Sequence, residues 1–150
     1  MIEYSTKLRS GLTAFLFAAL LGFGLLGFSG HASAKSWEGF KSEHEYNEAV
    51  HHMNSGYSEL GKVATKLQQD KVSSARRHFN SAIKHFDKAI GYYAEAELPA
   101  SDKPAIDALK KGLDALTKSD KALEKNDLSK AQKNYDAAQD YFAEAAALLE

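Results

Sequence analysis

The chain says nearly the same thing twice. Residues 74–90 read SARRHFNSAIKHFDKAI, residues 130–146 read KAQKNYDAAQDYFAEAA, and small residues and rings coincide at an offset of 56. The same offset holds upstream, where Gly56 matches Gly112, Leu60 matches Leu116 and Leu67 matches Leu123. The repeated unit is therefore longer than one helix. Within it, Val50, Met53, Tyr57, Leu60, Ala64 and Leu67 step by three and four, and so do Val72, Ala75, Phe79, Ala82, Phe86, Ala89 and Tyr93. In the second copy the stripes are Ile106, Leu109, Leu113, Leu116 and Leu123, then Leu128, Ala131, Tyr135, Ala138, Phe142, Ala145 and Leu149. That period gives helices with one apolar face. A single hairpin cannot cover both of its stripes, whereas two hairpins can close on each other. The expected fold is all-α, an antiparallel four-helix bundle made from two duplicated hairpins, residues 42–96 and 102–149.

The breaks agree with this division. The only two prolines, Pro99 and Pro104, lie together in ELPASDKPA, which marks the connection between hairpins. Ala, Lys, Glu, Leu and Gln dominate elsewhere and favour helix. Ser42-Glu43-His44-Glu45 has a capping-box pattern, Asp70 and Asp127 stand where the second helix of each hairpin needs an N-cap, and Ser101 or Asp102 can cap the third helix. Pro104 is tolerated in that helix's first turn.

Residues 1–34 read as a secretory signal peptide. Lys7 and Arg9 precede an uncharged apolar run, residues 11–28, and Ala32-Ser33-Ala34 supplies a small-x-small cleavage site. Retention as an anchor is the alternative, although the run is short for a spanning helix and holds four glycines. The expected destination is the periplasm or the exterior of a bacterial cell, with no stable membrane insertion after cleavage. Without Lys7, Arg9 and Glu3 the remaining chain has 17 basic and 19 acidic residues. That balance argues against a nucleic-acid binder and against a polybasic membrane-surface protein. Cysteine is absent, so the exported domain depends on its core alone.

The second helix of each hairpin carries Ala, an aromatic four residues on and Ala three after that: Ala75, Phe79, Ala82 and Ala131, Tyr135, Ala138. With Asn126-Asp127 at the turn, this resembles the tetratricopeptide repeat, a helix-turn-helix interaction module. The resemblance implies a protein-binding scaffold. The period of 56 exceeds that family's usual one of about 34, and its closing proline would fall at Asp87 and Ala143. The long second helices favour a closed bundle over a concave stack.

Histidine offers the first candidate chemistry. Glu48 and His51 form a Glu-x-x-His sequence, but no second copy exists to complete a di-metal bundle site. His44, Glu48 and His52 lie at i, i+4 and i+8 and can chelate a surface zinc, copper or nickel ion. On the heptad set by Val50, Tyr57 and Ala64, Glu48, His51 and His52 face outward. His78 and His85 are seven apart, roughly 10 Å along the axis, too far to share an ion unaided. No Cys-x-x-Cys-His motif attaches haem covalently, and Met53 with His85 is the one formal non-covalent pair, Met53 reading first as core. In the doublets Tyr92-Tyr93 and Tyr141-Phe142, one ring follows the core stripe and the other lies at its edge. Asp120 interrupts an apolar stripe and, if buried, needs a cationic partner such as Lys. No cysteine nucleophile, phosphate loop or Ser-His-Asp grouping can be defended.

These features together lead us to expect a non-enzymatic, exported helical module without a cofactor. It would bind another protein through His78, His85, Tyr92 and Tyr141. The alternatives are a divalent metal at His44, Glu48 and His52, a non-covalent cofactor between helices, or a homodimer whose interface completes a wider core.

Overall fold

The computed structural model describes residues 39–149, and the expected leader lies outside them. Four helices follow in order: α1 Glu43–Gln68, α2 Val72–Glu95, α3 Lys103–Glu124 and α4 Leu128–Leu149, with one 3-10 turn, Ala100–Asp102, ahead of α3. They form the all-α four-helix bundle, with α1 packed along α2 and α3 along α4. The hairpins meet mainly along α2 and α3. On the other side Tyr57 of α1 reaches Phe142 of α4, ring centroids 6.4 Å apart.

Both hairpin turns are tight, and they are built alike. Asp70 and Asn126, 56 apart, take left-handed backbone conformations (φ 57° and 56°). Asp70 N–H donates to the Leu67 carbonyl and Lys71 N–H to that of Lys66; Asn126 and Asp127 repeat this with Leu123 and Ala122. This is the Schellman closure, whose left-handed position Asp and Asn tolerate. It corrects the expected cap at Asp70, because that residue ends α1 and Lys71, with no side-chain cap bond, precedes α2. Asp127 does cap α4, its Oδ1 accepting from Lys130 N–H at 3.1 Å. Ser42 caps α1 by accepting from Glu45 N–H at 3.2 Å. Neither Ser101 nor Asp102 makes a side-chain cap bond at α3, where Pro104 stands in the first turn.

The core follows the duplication. Ala75, Ala82, Ala89, Ala131, Ala138 and Ala145 are fully buried and let the partner helices approach closely. Phe79 meets Tyr135 edge to face at 6.1 Å, and Phe86 meets Phe142 at 5.0 Å, each ring against its own counterpart. Gly56 lies under the Phe86 ring and Gly112 under the Phe142 ring, so each first helix yields space to its partner's aromatic. Two contacts were not visible in the stripes. Phe40, ahead of α1, is buried edge-on against Tyr46 and Tyr93, and Glu97 N–H donates to the Gly39 carbonyl at 2.7 Å, which ties the entry segment to the inter-hairpin connection. Asp120 is buried, and its partner is Arg76 of α2, which reaches both carboxylate oxygens (3.2 and 3.4 Å) and also Glu124 at 3.5 Å. Guanidinium suits this place better than the expected lysine, because its planar fork matches a carboxylate.

Candidate functional site

The groove between α1 and α2 carries His52, His78 and His85. His52 projects into it from α1, its side chain only 14 % exposed, and meets His85 of α2 with Nδ1 atoms 3.1 Å apart. Tyr92 also stacks on His52, rings 13° from parallel and centroids 6.2 Å apart. Glu48, one turn earlier on α1, brings Oε2 to 3.8 Å from His52 Nε2. Two turns along, Glu59 of α1 receives Lys62 at 2.8 Å and His78 of α2 at 2.7 Å. The groove thus holds two cross-helix pairs, His52–His85 and Glu59–His78. One turn of each helix repeats every 3.6 residues, so a seven-residue step keeps both pairs on one flank.

The electrostatics differ between the pairs. Burial lowers the His52 pKa below the usual imidazole value; His85, Lys88 and His51 push it the same way, and Glu48 opposes them. His52 is therefore neutral near pH 7. Burial would raise the Glu59 pKa, but the hydrogen bonds from Lys62 and His78 outweigh it and hold the carboxyl below its ordinary range. Glu59 is an anion with two cationic or donor neighbours.

The structure corrects the heptad-based orientation of His52. His51 is exposed and Glu48 partly so, whereas His52 turns into the groove. Val50, Tyr57 and Ala64 mark one edge of the buried arc of α1, and Ala49, Gly56 and Val63 its other edge, where His52, three residues after Ala49 and four before Gly56, meets α2. The counterpart of His52 in α3, Ala108, is buried too. His44 lies exposed at the start of α1, so the His44–Glu48–His52 stripe joins only its last two members. Among the described residues no three His, Asp or Glu side chains converge as metal ligands. Met53 is fully buried core. Of the four expected partner-binding residues, His78, His85 and Tyr92 share the α1–α2 groove, all half-buried. Tyr141 lies elsewhere, in an open groove of about 360 Å³ between α3 and α4, with Lys111 Nζ 5.9 Å from its ring.

Sequence reasoning did not find Glu59 or the pairing of His52 with His85. A signal existed in the repeat itself. Shifting by 56 sets His52 against Ala108, Glu59 against Ala115, His78 against Asn134 and His85 against Tyr141. The two hairpins match in most of their core, and besides the Asp120–Arg76 pair they part company at this groove. No helix among the described residues is long and apolar enough to cross a membrane. Comparison with known protein families, with curated proteins and with solved structures finds no match to this chain.

Proposed function

We propose that this chain is an exported, non-catalytic helical module that binds another protein, and that the α1–α2 groove is its binding surface. The observation that carries this reading is the internal comparison. The second hairpin builds equivalent helices, turns and ring pairs with Ala108, Ala115, Asn134 and Tyr141 in its groove. Packing therefore does not require His52, Glu59, His78 and His85 in the first. Half-buried polar side chains on a fold that needs none of them are the natural seat of recognition. Tyr92 adds an aromatic of the kind enriched at interfaces. The leader-like first 34 residues and the tetratricopeptide-like Ala and aromatic pattern support export and protein binding.

The test exchanges one groove for the other. The quadruple variant His52→Ala, Glu59→Ala, His78→Asn, His85→Tyr should melt cooperatively, as a fold with its second groove in both places. Wild type and variant would then be used to capture partners from the exported fraction of the native cell. A partner held by the wild type and lost by the folded variant supports the reading. Equal capture by both, or no partner for either, overturns it.

A further inference from the structure

We infer that His52 and His85 form a two-histidine site for a borderline divalent transition-metal ion, Cu²⁺ ahead of Ni²⁺ and Zn²⁺, that clamps α1 to α2. Three observations converge on it. The first is distance. The two Nδ1 atoms stand 3.1 Å apart across 33 residues of chain. With metal–nitrogen bonds of about 2.0–2.1 Å, that separation subtends an angle of roughly 100° at the ion. The value lies between the cis angle of a tetragonal site and the tetrahedral angle, so both geometries are reached by small ring movements.

The second is the orientation of the His52 ring. His52 turns Nε2 toward Glu48. Metal-bound histidine commonly gives its other N–H to a carboxylate, which fixes the tautomer and leaves the remaining nitrogen as the donor atom. In a metal-bound state that remaining nitrogen would be the Nδ1 facing His85. Without metal, the two Nδ1 atoms share one hydrogen bond. Tyr92 stacked on His52 limits its ring rotation.

The third is the second hairpin, where Ala108 and Tyr141 occupy the matching positions and offer no such pair. Lys88 and His51 lie near enough to oppose a cation. With two protein nitrogens and no third His, Asp or Glu converging among the described residues, water completes the coordination. The site is thus exchangeable, unlike the closed four-ligand sites that hold structural zinc. A nitrogen pair without thiolate selects Cu²⁺, Ni²⁺ and Zn²⁺ over Cu⁺, Ca²⁺ and Mg²⁺.

This inference deepens the reading of the α1–α2 groove as the binding surface, yet its test is separate, since metal titration reads the pair and partner capture reads the whole groove. The purified protein, free of any histidine tag, is titrated with Cu²⁺ and with Zn²⁺ while calorimetry and the melting temperature are followed. Wild type should take up one equivalent and melt several degrees higher. The Cu²⁺ electron paramagnetic resonance spectrum should show two nitrogen ligands. His52→Ala and His85→Tyr should each abolish that equivalent, and Glu48→Gln should weaken it about tenfold. His44→Ala and His78→Asn should leave it unchanged. The His85→Tyr change copies Tyr141 of the second hairpin, so that variant should fold, and its melting curve without metal checks this. Absence of the one-equivalent step, its survival in His85→Tyr, or its loss in His44→Ala would overturn the assignment, the last by moving the ion to the exposed stripe on α1.

Discussion

Four helical glycines divide into two that hold a ring and two that hold nothing, and replacing each by alanine separates them by sign. Glycine in a helix interior is about 0.8–1.0 kcal/mol less favourable than alanine. A Cβ added at Gly61 or Gly91 meets nothing within 4 Å. Their counterparts in the second hairpin, Thr117 and Ala147, carry side chains. Gly61→Ala and Gly91→Ala should therefore each stabilise by roughly 1 kcal/mol, about 4 °C in Tm for a domain of this size. Gly56 gains the same helical term but loses space. Its Cβ would stand 2.7, 2.8 and 2.9 Å from three atoms of the Phe86 ring. Carbon contacts are comfortable near 3.5 Å, so the ring must retreat by roughly 0.8 Å. It has nowhere to go, since it is fully buried between Tyr57 at 5.2 Å and Phe142 at 5.0 Å. Overpacking of this kind costs about 1–3 kcal/mol, which leaves Gly56→Ala destabilising by about 0–2 kcal/mol. Gly112, whose nearest ring atom would be 3.1 Å away, should fall between, close to zero. Urea denaturation at constant m-value gives the four midpoints directly. Gly56→Ala as stable as Gly61→Ala would refute the claim that these glycines exist to seat the phenylalanines.

Two further outcomes follow from the polar contacts. Asp120→Ala should destabilise by about 1–2 kcal/mol, because Arg76 keeps only the more exposed Glu124. Adding Arg76→Gln to Asp120→Ala copies the residues at the matching positions of the other hairpin, Gln132 and Ala64, and should recover most of that loss in a double-mutant cycle. Glu59 predicts a pH dependence. Its folded pKa lies below its ordinary value of 4.5, so its contribution is complete above that value and is lost as pH falls through the folded pKa. The stability gap between wild type and Glu59→Ala should thus be flat near neutral pH and shrink below about pH 4.5, as urea midpoints across that range would show.

How much of this was legible in the sequence depended on whether a residue's partner was close along the chain. The helices, the hairpin boundaries and the inner rings followed from period and repetition, which are local properties. Asp127 as a cap was readable because its partner, Lys130 N–H, is three residues away. Asp70 was misplaced because the same residue type serves a left-handed helix end as readily as an N-cap, and only backbone dihedrals distinguish them. Asp120 announced a need without naming Arg76, 44 residues earlier. Phe40 stands outside any helix, so no periodic stripe could include it. The line of Val50, Tyr57 and Ala64 marks only one edge of the buried arc of α1, which hid the meeting of His52 with His85 at the other. The groove was nonetheless encoded, as a difference between two copies that agree in most of their core.

The uneven joints of the bundle carry a consequence for its motions. Helices pack most closely within each hairpin, and the hairpins join mainly along α2 and α3. Each hairpin is thus a contiguous cooperative unit, and the lowest sub-global opening is the parting of one from the other. Such an opening wets Phe79, Phe86, Tyr135 and Phe142, the ring pairs that lie between the two halves. It leaves His52, His85, Glu59 and His78 untouched, since both members of each pair belong to the first hairpin. A ligand in that groove would slow amide hydrogen exchange within α1 and α2 but leave the parting of the halves unchanged, so occupancy and opening are thermodynamically independent.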